Sequence, residues 1–179
     1  MNRAAMVGAG AAALLALAGC QHERPATGLP MAGGLRASAT VRDAAGNMVG
    51  VAHATEVGGG LRVTFDGRAL PPGTHGAHLH TTGLCDAPAF TTAGGHWNPT
   101  ARQHGSMNPN GQHQGDLPNL IVGADGRGTV AATIPGATMA GLLDTDGAAF
   151  VVHAGPDDLM TDPAGGSGGR IACGVFAAG

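Results

Sequence analysis

Seven consecutive residues, THGAHLH at positions 74 to 80, hold three imidazoles, and two of them, His78 and His80, stand two apart. Successive side chains on a β-strand point to opposite faces, so an H-x-H pair sends both rings to the same side. Two neutral ring nitrogens presented together can grip a transition metal, although two strand histidines can also simply share a half-polar face. Further residues of ligand type follow: His96, His104, His113 and Asp116 in one long segment, and His153 at the end of a late apolar run. His113 and Asp116 form an H-x-x-D, a neutral nitrogen beside an anionic oxygen, which suits zinc or another borderline cation. Imidazoles without a thiolate suit copper, because Cu(II) favours a tetragonal set of nitrogens. Seven ligands exceed what one tetrahedral ion can take. They can serve two ions if one imidazole offers a nitrogen to each.

The elements that must position these residues read as strand and turn. LRASATVRD alternates from Leu35, AAGN turns, MVGVAHATEV continues, GGG turns, and LRVTFDGRAL follows until Pro71 and Pro72. NLIV and GTVAATI flank GADGRG, an Asp-Gly hairpin signal. AAFVVHA and GRIACGVFAA supply two late strands, and the segment holding His78 and His80 brings the count to about eight. No amphipathic helix and no internal repeat stand out. Short antiparallel strands in this number predict an all-β, eight-stranded Greek-key flattened barrel or sandwich. Two long stretches without strand character, from Thr81 to Pro118 and from Gly155 to Gly169, are expected to be functional loops.

Length and composition bound the rest. The chain has 179 residues, enough for one domain with a real core. It has no lysine, so all nine basic residues are arginines, and its formal charge is −3. With no basic run and no aromatic platform, nucleic acid is not an expected partner. Residues 1–19, with Arg3 ahead of a short apolar run, read as a signal peptide, and LALAGC resembles a bacterial lipobox that would leave Cys20 as a lipidated first residue. An ordinary signal peptide cut nearby is the alternative. Residues 20–34, rich in Pro, Gly and polar side chains, read as a flexible tether, and residues 35–179 as the barrel domain. The expected location is periplasmic, with a membrane lipid anchor at Cys20. Setting Cys20 aside leaves Cys85 and Cys173, an even pair in an oxidising compartment, for which a disulfide is the natural reading and two buried thiols the alternative.

The stretches HGAHLH, AGGHWNP, HGSMNPNGQHQGDLPN, VVHAGPDDL and GGRIACGV, in this order, resemble the copper-zinc superoxide dismutases, and the likeness spans roughly residues 35–179. The resemblance implies a copper ion on His78, His80, His96 and His153, and a zinc ion on His96, His104, His113 and Asp116, with His96 as the bridge. It implies that Asp157 holds His78 on the copper side and His104 on the zinc side, that Arg170 attracts and positions the superoxide anion, and that Cys85 and Cys173 are bonded. It further implies a reaction in which copper alternates between oxidising one superoxide and reducing the next, with His96 carrying a proton. His75 matches a histidine that the family uses structurally. His22 in the tether and His53 on an early strand fall outside every motif. The loop before Arg170 departs from the eukaryotic members: it carries Asp157, Asp158 and Asp162 and no lysine. A copper- or zinc-buffering protein on the same barrel is the rival reading, since fold alone does not imply function. Neither composition nor motif specifies an oligomeric state.

Overall fold

In the computed structural model, residue 1 and residues 34–179 are described; Arg3, Cys20, His22 and nearly all of the expected leader and tether lie outside the described residues. Strand β1 (Arg36–Asp43) alternates as its sequence predicts, burying Ala37, Ala39 and Val41 and exposing the residues between. It pairs with β2 (Met48–Val57), which pairs with β3 (Gly60–Gly67), and both turns use glycine at positive φ, Gly46 and Gly59. After Pro71 and Pro72 the chain forms β4 (Gly73–His75) and β5 (Ala77–His80), two pieces of one extended segment. A long loop containing one 3-10 turn (Thr91–Ala93) leads to β6 (Leu120–Val122) and β7 (Gly128–Pro135). Strands β8 (Ala149–His153), β9 (Arg170–Val175) and β10 (Ala177–Ala178) complete the chain, β10 continuing β9 beyond Phe176.

Counting β4 with β5 and β9 with β10 recovers the eight strands expected, all antiparallel. The main sheet runs β5-β8-β9-β1-β2-β3-β7, with β10 also on β1, and a two-stranded sheet pairs β4 with β6. One extended segment therefore belongs to both sheets, its first half on β6 and its second on β8, which nearly closes the barrel. The Asp-Gly turn forms at Gly123–Arg127, with the Gly123 amide donating to the Arg127 carbonyl at 2.8 Å, but the ladder partner of β6 is β4. A single helical turn, α1 (Met139–Leu142), escaped the sequence reading; the Thr138 hydroxyl caps it by accepting from the Gly141 amide, and burial of Met139 and Leu142 holds it. Among the described residues no helix is long and apolar enough to cross a membrane.

The core is built largely from small side chains, Ala37, Ala39, Ala52 and Ala54, around Phe65 and Phe150, whose rings stack at 4.7 Å. Strand β8 is buried on both faces. Phe150 and Val152 face this core, whereas Ala149 and Val151 face a second cluster made with Phe90, Ala93 and Cys173. That second cluster is the underside of the long loop, and it lies on the outside of the barrel. Period-two alternation puts His153 on the same outer face as Ala149 and Val151. The neighbouring register, His78 opposite Val151 and His80 opposite Ala149, adds both rings of the H-x-H to that face. The loop is pinned there by the bond between Cys85 and Cys173, 88 positions apart.

A crosslink closing a loop of this length is worth about 4 to 5 kcal/mol in the chain-entropy view. Cys173→Ser should therefore lower unfolding free energy by up to about 4 kcal/mol in urea, and amide exchange should rise first in residues 81–94. Unchanged exchange in that segment would show that the loop is held without the bond.

Candidate metal centre

Backbone pairing carries the loop to the strand. The Leu79 amide donates to the Gly115 carbonyl at 2.9 Å, and the Leu79 carbonyl accepts from the Trp97 amide at 2.8 Å. Thr81 continues the pairing, its amide donating to the Gly95 carbonyl at 3.0 Å. These bonds seat His96 beside His80 and Asp116 beside His78 on the otherwise open edge of β5. Gly115 permits the approach, because a Cβ there would strike the Leu79 carbonyl.

Two sets of side chains result. His78, His80, His96 and His153 each offer a nitrogen within 4.8 Å of the others, and so do the ligand atoms of His96, His104, His113 and Asp116; all seven residues are buried. In the first set the far side of each strand ring is occupied: His78 Nε2 donates to Asp157 Oδ2 at 2.7 Å, His80 Nδ1 to the Gly94 carbonyl at 2.9 Å, and His153 Nδ1 to the Gly168 carbonyl at 3.1 Å. Each bond holds the proton outward and leaves the opposite nitrogen with a free lone pair. Among the described residues the buried side-chain polar atoms without a partner are His78 Nδ1, His80 Nε2, His96 Nε2 and His153 Nε2. Leaving a polar atom buried and unpaired costs about 1 to 3 kcal/mol. Four such nitrogens converging on one point fit a cation that accepts nitrogen ligands, and four imidazoles fit copper.

In the second set three Nδ1 atoms surround one oxygen. Asp116 Oδ1 lies 2.9 Å from His96 Nδ1, 3.0 Å from His104 Nδ1 and 3.2 Å from His113 Nδ1, and the nitrogens of His96 and His113 are 3.4 Å apart. Ligands about 2.0 Å from a tetrahedral zinc would stand about 3.3 Å from one another, so the spacing fits zinc with little movement. The second oxygen of Asp116 is already committed, accepting from the amides of Gly105 at 2.9 Å and His113 at 3.0 Å. His96 is the one residue in both sets, Nδ1 in one and Nε2 in the other.

A buried carboxylate ties the sets together a second time. Asp157 accepts from His78 through Oδ2 and from His104 Nε2 through Oδ1, the latter at 2.9 Å. Asn119 fixes Asp157 in turn, its amide group donating to the Asp157 carbonyl at 2.8 Å and accepting from the Asp157 amide at 2.9 Å. Nothing in the sequence marked Asn119 for this task. The backbone donors and acceptors at Gly94, Gly105 and Gly168 were likewise invisible, since any residue type carries them. Gly165 is a different case: it lies at φ +62°, and a Cβ there would overlap Asp157 Oδ1 and come within 2.8 Å of His104 Nε2.

Burial and mutual contact keep these groups ready for a metal. Burial lowers His80 to about 2, against the opposing Gly94 hydrogen bond; it lowers His153 to about 3, helped by His78, and His96 to about 4, although the Asp116 contact resists. For Asp116 burial works against ionisation, but hydrogen bonds from His96 and Gly105 overcome it and bring the carboxyl down to about 2. Burial also opposes ionisation of Asp157, and its bonds to His78 and His104 outweigh it and depress the carboxyl well below its usual range. Above mildly acidic pH, His80, His96, His153 and Asp116 thus need lose no proton to take a cation.

Arg170 follows at the start of β9, paired with His153 across the β8–β9 ladder. Its guanidinium donates to the Phe90 carbonyl at 2.6 Å and to the Gly94 carbonyl at 2.5 Å. Gly94 therefore accepts from both Arg170 and His80, which fixes the cation beside the first nitrogen set. His75 is buried away from both sets, between the carbonyls of His153 and Pro71 at 2.8 and 2.9 Å. His53 is exposed on β2.

An antiparallel barrel carrying two imidazole sets on its outer face, under loops stapled by a disulfide, defines a metal-binding β-barrel. The model of the copper/zinc superoxide dismutase family matches residues 48–176. The chain is 39% identical over 148 residues to a Cu-Zn superoxide dismutase of Aquifex aeolicus, covering 79% of this chain and 86% of the relative. It is 41% identical over 147 residues to one from Caulobacter vibrioides, covering 78% and 84%. Among solved structures, a double mutant of a superoxide dismutase-like protein from Bacillus subtilis aligns with a TM-score of 0.73 at 41% identity over 77% of this chain and 95% of that one. The Cu/Zn superoxide dismutase from Brucella abortus aligns with a TM-score of 0.63 at 32% identity over 78% and 98%. The chain belongs to the copper/zinc superoxide dismutase family.

The depressed histidines set a pH dependence for the metal-free protein. His80, His96 and His153 are neutral when folded and bind protons below about 6.5 when unfolded, so the unfolded state gains protons first and stability falls as pH falls. The loss is of order 1 kcal/mol per histidine for each pH unit below 6.5, and Asp116 and Asp157 add to it only below about pH 4. Metal-free protein should melt at steadily lower temperature from pH 7 to pH 5; a flat profile would contradict neutral burial. Gly165→Ala should cost about 1 to 3 kcal/mol through overlap with Asp157, and should lower the content of both metals after loading.

Proposed function

We propose that this chain is a superoxide dismutase whose copper site is His78, His80, His96 and His153 and whose zinc site is His96, His104, His113 and Asp116. The observation that carries the reading is the pair of opposed nitrogens on His96, one in a set that fits zinc and one in a buried set of unpartnered imidazoles. Copper, when bound, supplies a one-electron couple, so that two superoxide anions and two protons become oxygen and hydrogen peroxide. The protein does the remaining work. Outward hydrogen bonds at His78, His80 and His153 fix their tautomers and keep the inward lone pairs in place without movement during turnover. His96 Nδ1 stays with the zinc set, while Nε2 is the position at which a proton can be held and given up. An imidazole suits that task because it exchanges protons readily near neutral pH.

Arg170 is the substrate guide. The whole protein is negative, and after removal of residues 1–19 its charge would be −4, from eight arginines and twelve acids. A field of that sign repels superoxide, so local positive charge must draw the anion in. The bonds to Phe90 and Gly94 hold the guanidinium beside the nitrogen set, where it can receive one oxygen of the anion. We further propose that the lipobox-like LAGC directs lipidation of Cys20 and that the enzyme is a periplasmic lipoprotein on the tether of residues 20–34. The composition, with its export-type leader and even pair of remaining cysteines, supports that placement.

His80→Ala should lose copper and activity while zinc stays near one per chain by metal analysis; parallel loss of both metals would argue against separate sites. A buffering protein would hold both metals and leave superoxide unconsumed. A unit charge about 6 Å from an anion is worth about 0.7 kcal/mol in water and about 3 kcal/mol at an effective dielectric of 20. Arg170→Ile should accordingly reduce kcat/KM about tenfold or more at low salt with metal content unchanged, and Arg170→Lys much less. Rising ionic strength should slow the native enzyme more than the Ile variant, since screening removes the same attraction. Full activity in Arg170→Ile would remove it from the mechanism. Labelled fatty acid should enter the native chain and not Cys20→Ser, and the variant should leave the membrane fraction.

A further inference from the structure

The loop between β8 and β9 carries three aspartates, and only Asp157 has been given a role. Asp162 lies five residues further on and reaches back to the same cluster. Its Oδ1 accepts from the backbone amide of His104 at 2.6 Å. The same oxygen stands 3.8 Å from His113 Nε2, the ring nitrogen opposite the one that faces Asp116. At that distance the carboxylate and the ring make no hydrogen bond. His113 Nε2 has no other protein partner among the described hydrogen bonds and ion pairs, and its ring is nearly buried.

We propose that Asp162 is a positioning residue of the zinc site, fixing the His104 backbone through a hydrogen bond and setting a negative charge near the outer nitrogen of His113. The inference rests on the reading of His96, His104, His113 and Asp116 as zinc ligands. A histidine that binds metal through Nδ1 carries its proton on Nε2, and a negative charge near that end favours this placement of the proton. Two of the three imidazoles of the set then have a carboxylate behind them, both supplied by one loop. The second contact, on the His104 amide, ties the backbone of another ligand to the same oxygen. The two loops are close enough for this to be specific: the Met107 amide donates to the Leu159 carbonyl at 2.9 Å, Asn108 Nδ2 donates to the Met160 carbonyl at 3.2 Å, and a Cβ on Gly105 would strike Leu159. Leu159 itself is held at φ 63°, a left-handed conformation uncommon for a branched residue, where the loop turns toward Asp162. Asp162 also differs from Asp157 in exposure. Its side chain is 48% accessible whereas that of Asp157 is closed to solvent, so its charge is at the rim of the site and can be changed without opening a cavity.

Asp162→Asn keeps an oxygen for the His104 amide and removes the charge facing His113, whereas Asp162→Ala removes both. The test uses the full chain loaded with copper and zinc, or with cobalt in place of zinc. Transfer of zinc to a coloured chelator should be about 10- to 100-fold faster in Asp162→Ala, the usual effect of losing an outer partner of a metal-ligating histidine. Asp162→Asn should fall between that variant and the native chain. The visible ligand-field bands of the cobalt form should shift in both variants, a change that general loosening of a surface loop would not give. If Asp162→Ala does not fold, the Asn variant decides by the same two measurements. Native zinc release and native cobalt bands in whichever variant folds overturn the role of Asp162 while leaving the zinc site intact. A native chain that takes up neither zinc nor cobalt overturns the site reading and this inference with it.

Discussion

The carboxylate of Asp157 is the joint on which the arrangement depends. One oxygen meets His78, which projects from β5, and the other meets His104, which belongs to the long loop, while Asp157 itself comes from the loop after β8. Three segments far apart in sequence are thus tied through one buried anion. An ionised carboxylate shut off from water is tolerated only when its lone pairs are satisfied. Here two imidazoles and the Leu159 amide, at 2.7 Å, do so, and Asn119 anchors the backbone beneath it. The anion in turn dictates which nitrogen of His78 and of His104 is left free to face inward. One ring of each set thus takes its proton placement from this group.

The barrel makes that joint possible by being narrow and by presenting a covered outer face. Alanines at the inward positions of β1 and β2 let the sheets approach, and the stacked rings of Phe65 and Phe150 fill what remains. A two-faced strand such as β8 needs cover on its outside, and the long loop supplies it with Phe90 and Ala93 while delivering His96 to the edge of β5. The apolar patch under the loop and the candidate metal ligands beside it are one construction. Hydrophobic burial holds the loop down, and the disulfide limits how far it can leave. Without that cover the inward nitrogens of His80 and His153 would be wetted, and their protons would compete with any cation.

Charge is distributed so that attraction is local. The overall sign is negative, and the acids near the centre are mostly engaged with histidines or backbone amides. Arg170 is half-buried, and its two carbonyl partners belong to the same loop that carries His96. Phe90, one of those partners, sits at φ 54°, so a residue in an uncommon conformation turns its carbonyl to the guanidinium. The position of the arginine is therefore set by loop geometry, and that geometry by the disulfide and the apolar patch beneath it.

Much of this was legible in order along the chain. Alternation in LRASATVRD and LRVTFDGRAL, glycine turns between them and the H-x-H at His78 and His80 define strands and faces by local rules, since the period of two is a property of extended backbone. The residue types that could hold metal were visible for the same reason: imidazole and carboxylate chemistry is carried by the side chain itself. The helical turn at Met139–Leu142 was not visible, because four residues are too few for a periodic pattern and packing alone stabilises them. Nor was the pairing of β6 with β4 rather than across its own turn, which the closure of the barrel decides. Tertiary structure alone decided which nitrogen of each ring faces inward, because that depends on carbonyls of Gly94 and Gly168 and on a carboxylate nearly eighty residues from His78. Sequence determines which groups can bind; the partner on the far side of each ring determines which atom does, and those partners are brought there only when the loops close over the barrel.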